Sequence, residues 1–108
     1  MSQPRWERNV RTIVILTRRA DADAEHLARL SKPELLAVWQ GMAEGTVRGA
    51  HGLLEGIGAV LELETRTIED AKYYVASPPY VEEDLLDVQY CPLKPFPAFD
   101  ALAAATSA

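Results

Sequence analysis

The residues best placed for chemistry are His51 and Glu62, which fall on the two arms of one predicted hairpin. Residues 47–54 and 57–64 have strand character and meet at Glu55-Gly56, where Gly56 supplies the positive φ that a two-residue hairpin turn needs. With that turn Leu54 faces Ile57, Leu53 faces Gly58 and His51 faces Val60. His51 and Glu62 are then diagonal neighbours on one sheet face, close enough for long side chains to meet. A carboxylate beside an imidazole holds its tautomer and raises its basicity, which suits proton removal next to a carbonyl. Leu53, Val60 and Glu64 share that face and would wall a substrate site. Arg11 on the first strand would add an anion clamp and Tyr90 on the last a hydrogen-bond donor, if both reach the same cavity. The plainer alternative is a hydrogen-bonded interface histidine beside a solvated glutamate.

Those side chains need a sheet to hold them, and the chain reads as one. Residues 10–17 (VRTIVILT) form a β-branched, well-buried strand. A helical region opens near Asp21, and Ser31-Lys32-Pro33-Glu34 has the form of a capping box. Leu35, Val38, Trp39 and Met42 follow at i, i+3, i+4 and i+7, the core stripe of a helix ending at Gly45. After the hairpin, Thr67 caps a second helix through Asp70, with Ile68, Ala71, Tyr74 and Val75 inward. Ser77-Pro78-Pro79 ends it. Residues 86–93 form a last alternating strand, and prolines 92, 95 and 97 leave an extended arm beyond it. Residues 1–9 are expected to be a flexible arm, residues 10–93 the domain, and residues 94–108 an extended C-terminal arm with an alanine-rich tail.

The order is β-α-β-β-α-β, an α+β, ferredoxin-like pattern with a four-stranded antiparallel sheet. Ala50, Gly52, Leu54, Ile57, Ala59, Leu61 and Leu63 lie on the face under the helices. The glycines of the hairpin imply open space above the sheet. The other face, with His51, Leu53, Val60, Glu62 and Glu64, needs a cover that 108 residues do not supply. A second copy packed face to face is the economical answer, so the expected partner is the chain itself.

Composition narrows the function further. A net charge of −5 argues against a nucleic-acid or anionic-membrane surface, despite the local cluster Arg5, Arg8, Arg11, Arg18 and Arg19. The one cysteine, Cys91, excludes an internal disulfide and reads as a structural thiol. No Cys/His cluster, phosphate-binding glycine loop or G-x-S-x-G elbow is present, so no metal and no cofactor is expected. His26 is expected on the surface. No apolar leader segment or membrane-length stretch is seen, and a cytoplasmic location is the expectation.

The stretch from Glu44-Gly45-Thr46 through the hairpin to Thr67-Ile68-Glu69 resembles the muconolactone isomerase family, within the dimeric α/β-barrel superfamily. Ser77-Pro78-Pro79-Tyr80 and residues 87–93 are similar to that family's proline-bearing loop and final strand. The likeness spans residues 10–95. It implies the fold, self-association and cofactor-independent acid–base activity. It transfers no catalytic residue, because Gly49, Ala50, Gly52 and Gly58 stand where the isomerases carry aromatic, histidine and arginine side chains. The expected function is therefore a small isomerase or cyclase acting on an oxygenated lactone, aromatic or polyketide-like metabolite. A non-catalytic ligand-binding or accessory protein and a cofactor-free monooxygenase are the alternatives.

Overall fold

The computed structural model describes residues 9–106. Arg5 and Arg8 of the basic cluster, and most of the expected N-terminal arm, lie outside the described residues. The elements are β1 (Val10–Arg18), α1 (Ala24–Glu44), β2 (Val47–Gly52), β3 (Gly58–Thr65), α2 (Ile68–Ala76), α3 (Pro79–Glu82), β4 (Leu86–Leu93) and α4 (Pro97–Thr106). The four strands form one antiparallel sheet in the order β2-β3-β1-β4. This is the expected β-α-β-β-α-β order, with the one-turn α3 and the terminal α4 added.

The hairpin register is the one its turn dictates: His51 pairs with Val60, Gly52 with Ala59, and Gly56 sits at φ +84°. A shift between Val47 and Gly49 bulges Arg48 out of the ladder. The sheet consequently has two distinct faces. Val14, Leu16, Val47, Leu61 and Leu63 point to the helices and pack with Ala71 and Val75 of α2. Arg11, Ile13, Ile15, Val60, Glu62 and Glu64 alternate with them and point away, onto a face that no helix covers among the described residues.

α1 departs from the expected helix in two ways. It starts at Asp23, whose side chain accepts the Glu25 amide at 3.1 Å, and runs through Ser31-Lys32-Pro33-Glu34 without a break. Ser31 therefore caps nothing, and its hydroxyl donates to the Ala28 carbonyl. Pro33 removes one ladder hydrogen bond within the helix, a local cost that packing on both sides outweighs. The expected core stripe is buried only in part: Val38 packs against the core, whereas Leu35 and Trp39 are 70% and 66% exposed and Met42 is exposed as well. The face laid on the sheet carries Gly41 beside Val38. Gly41 is buried where a Cβ would stand 2.7 Å from Val47 Cγ2 and against the Tyr74 hydroxyl, so glycine is what permits the close approach.

α2 is capped as expected, with the Asp70 amide donating to Thr67 Oγ1 at 3.1 Å. The C-terminal segment is helical from Pro97 rather than extended through Phe99. Its alanines favour helix, and Pro97 opens it at a position where its missing N–H costs nothing.

Candidate functional site

Two places on the domain hold polar side chains against apolar walls, one on each face of the sheet. The first is the open-face cluster. Glu62 and Glu64 are two residues apart on β3, so both point to this face, and Arg11 is paired with Glu64 across β1. One Arg11 guanidinium nitrogen donates to Glu62 Oε1 at 2.7 Å and the other to Glu64 Oε1 at 2.9 Å. These two bonds push the Arg11 pKa above its ordinary value, Glu62 contributing most. His51 stands on the same face one strand further out. Glu62 Oε2 and the His51 ring nitrogen Nε2 both lie beside Gly49, 3.2 and 3.7 Å from where its Cβ would be. The absent Gly49 side chain is what leaves them a shared space.

The structure thus gathers Arg11, His51, Val60, Glu62 and Glu64 on one face, with Glu62 held by Arg11 rather than by His51. Leu53 follows the end of β2 at the hairpin, its Cδ1 2.9 Å from where a Gly58 Cβ would stand. Tyr90 does not join them. It pairs with Val14, which puts it on the helix side against the core, where burial raises its pKa and Lys72 Nζ lies 5.6 Å from its ring centre.

The second place is a cavity of about 550 Å³ between α1 and the helix-side face of the sheet. Its floor is Ala50, Gly52, Ala59 and Leu61, and a Cβ built on Gly52 meets nothing within 4 Å. Side chains this small leave α1 standing off the sheet. Leu27, Leu35 and Val38 of α1 form the roof, with Ile57 and Leu86 at the sides. Such a volume, mostly apolar with a few polar groups, is that of a small-molecule site.

The polar groups of this cavity are Ser31, Glu34 and Tyr80, with Arg18 also on its lining; His51 borders it at the sheet edge, with its ring nitrogen Nε2 beside Gly49 on the other face. Tyr80 joins α3 to α1 twice: its amide donates to Glu34 Oε1 at 2.9 Å and its hydroxyl to the Leu27 carbonyl at 2.9 Å. Burial pushes the Glu34 carboxyl above the usual carboxylate range, opposed in part by the Tyr80 amide. Burial and then the nearby Glu34 raise the Tyr80 phenol. A second tie, His26 Nε2 to Glu83 at 2.9 Å, fixes the start of α1 to the end of α3, so His26 is half-buried rather than a free surface residue. Arg18 Nη2 donates to the Ala22 carbonyl at 3.0 Å.

Glu34, Tyr80 and Ser31 were not singled out as site residues by sequence. Glu34 and Ser31 had a competing explanation as a cap, and Tyr80 sat in a connecting segment. The run Ala50, Gly52, Gly58, Ala59 was the available signal, because it implies space above the hairpin. Among the described residues no group of three His, Cys, Asp or Glu side chains is arranged to hold a metal ion, and no helix is long and apolar enough to cross a membrane.

No protein-family model matches the chain, and no curated protein matches it significantly in sequence. Among solved structures it is similar to a dimeric protein of unknown function with a ferredoxin-like fold from Bacteroides fragilis NCTC 9343. The two superpose with a TM-score of 0.51 at 17% identity, over 82% of this chain and 98% of that one. The likeness is one of fold: this chain is an α+β, ferredoxin-like domain.

Proposed function

We propose that the chain is one subunit of a homodimer that binds an oxygenated, largely apolar small molecule and performs cofactor-independent acid–base chemistry on it, of the isomerase or cyclase type. The observation that carries this reading is the cavity of about 550 Å³ whose apolar walls converge on the half-buried carboxyl of Glu34. A carboxyl with a raised pKa is a general acid–base poised nearer neutrality, and the Tyr80 amide fixes one of its oxygens. Ser31 Oγ, whose proton goes to the Ala28 carbonyl, can accept a hydrogen bond from a substrate hydroxyl in the same space. The likeness of the hairpin and its flanks to muconolactone isomerases supports the class of reaction. The dimeric ferredoxin-like neighbour and the uncovered sheet face support the homodimer.

The open-face pair is the second reading, favoured by the approach of Glu62 Oε2 and His51 Nε2 over Gly49. There His51 is the base, with Arg11, Leu53, Val60 and Glu64 around the substrate. A cyclic ketone whose α-protons are acidic, such as 2-tetralone, separates the readings through solvent deuterium uptake followed by NMR. Exchange above the buffer rate that is lost in Glu34→Gln and kept in His51→Ala places the chemistry in the cavity. The reverse pattern places it on the open face. Binding without exchange leaves a ligand-binding protein and removes the enzyme.

A further inference from the structure

We infer that residues 94–106 are an exchanged arm, which packs on a second copy of this chain whose open sheet face covers the open face of the first. The inference rests on the homodimer proposed above and adds what holds it together.

Every residue from Pro92 to Thr106 is exposed, including Phe96, Phe99 and Leu102, which are 63%, 62% and 60% exposed. Phe96 and Phe99 touch edge to face, with ring centres 5.4 Å apart, but bury neither ring. A ten-residue helix is marginal in water on its own, and most helical stability in proteins comes from docking an apolar face. α4 has such a face and leaves Phe99 and Leu102 on it exposed.

The chain exposes more surface than a compact domain of its size. The chain exposes 7717 Å², whereas a compact monomer of 11.9 kDa is expected to expose about 5,900 Å². Its radius of gyration is 16.7 Å, against roughly 13 Å for a compact domain of 108 residues. The excess of about 1,800 Å² is surface that a compact domain of this mass would not expose, and the arm contributes to it.

The position of the arm fits the same partner. β4 is an edge strand, and its last residue, Leu93, pairs with Arg11 and therefore lies on the open face, 48% exposed. The arm leaves from a small groove beside Arg11, Glu64 and Leu93. Pro95 and Pro97 stiffen its root, so it projects rather than folds back. When two open faces meet about a two-fold axis, an arm that starts at the corner of one face continues over the other copy. The half-buried Ile13, Ile15 and Val60 supply the apolar centre of that contact. A lipid surface suits the arm poorly: α4 carries Asp100 as its one charged residue, and the chain is net −5.

The test is hydrogen exchange with sedimentation on the full chain, across concentrations that span the dimer dissociation constant. Protection of the amides of residues 98–106 should rise in step with the dimer fraction. Phe96→Ser/Phe99→Ser should weaken the dimer about 100-fold, as loss of buried aromatic anchors does, with an unchanged far-ultraviolet spectrum. Ile13→Asp should abolish both the dimer and the arm's protection while leaving a folded monomer. A dimer whose arm exchanges freely, or arm protection independent of concentration, overturns the exchanged arm while the homodimer stands. A chain that stays monomeric throughout overturns both.

Discussion

Tyr80 donates its backbone amide to Glu34 Oε1 at 2.9 Å, so a carboxylate in the middle of α1 satisfies the first turn of α3, 46 residues away in sequence. The same carboxyl is desolvated, and its pKa is raised from the ordinary value of 4.5. Between the unfolded and the raised folded pKa, the native state holds more protons than the unfolded state. Stability attributable to Glu34 is therefore fully present below the unfolded pKa and is lost as pH rises through the folded one. Glu34→Gln keeps an oxygen for the Tyr80 amide and removes the charge. Its melting temperature should exceed that of the parent at neutral pH, and the difference should vanish toward about pH 4. Glu34→Ala, which strands the amide, should cost about 1–3 kcal/mol at either pH. Melting curves of the three proteins at both pH values check this.

Thr12 lies on β1 with its side chain fully buried on the helix side, and its hydroxyl has no hydrogen-bond partner among the described residues. A buried hydroxyl left without a partner carries an uncompensated desolvation cost. Thr12→Val keeps the shape and the β-branching that the strand favours. It should stabilise the fold by about 1–2 kcal/mol, read from the denaturant midpoint at constant slope. A loss of stability would mean that the hydroxyl has a partner in solution, such as an internal water.

Much of the scaffold was legible in the sequence because local chemistry and global fold agree there. Glu55-Gly56 set the hairpin register, and the register put His51, Val60, Glu62 and Glu64 on one face. Thr67 and Gly45 marked helix ends through their caps. The reading of α1 went astray where two patterns competed. Asp23 and Ser31 are both good cap residues, and only packing chooses between them. Of the apolar stripe Leu35, Val38, Trp39 and Met42, Val38 packs against the core while the others are exposed, and the buried face continues through Gly41. Glycine has no hydrophobic weight, so a contact made by close backbone approach is invisible to periodicity. The cavity was hidden for a related reason: Glu34, its principal polar group, already had a plausible task as a cap. Arg11 and Tyr90 stay open together: the sequence puts each on a strand but not on a face, and the engagement of Arg11 with both carboxylates depends on side-chain geometry that pairing alone does not specify.

The close approach at Gly41 makes its own prediction. Gly41→Ala would place a methyl against the Tyr74 hydroxyl and 2.7 Å from Val47 Cγ2. Overpacking of this kind typically costs about 1–3 kcal/mol. Tyr74→Phe removes the hydroxyl and with it the bond to the Ala37 carbonyl at 3.0 Å, so alone it should cost about 1 kcal/mol. Together the two changes should cost less than their sum, since the phenylalanine vacates part of the space that the methyl needs. A double-mutant cycle by chemical denaturation measures the coupling, and strict additivity would show that α1 moves away from the sheet instead.

The cavity itself is tested most directly at Gly52. This residue pairs with Ala59 on the floor, and the space above it is open for 4 Å. Its φ is not in the left-handed region that would make a side chain strained. Gly52→Leu should therefore fold, with a melting temperature equal to the parent's or higher, because a strand glycine gives way to a residue that fills a void. The same side chain occupies the volume a ligand would use. Affinity for a phenolic probe such as 2-naphthol should fall at least about tenfold, the equivalent of 1.4 kcal/mol, while Leu54→Ser at the exposed hairpin tip leaves it unchanged. Isothermal titration calorimetry reads the binding without a label. Equal affinity in the parent and in Gly52→Leu would place the probe elsewhere, and the proposed site between α1 and the sheet would then be wrong.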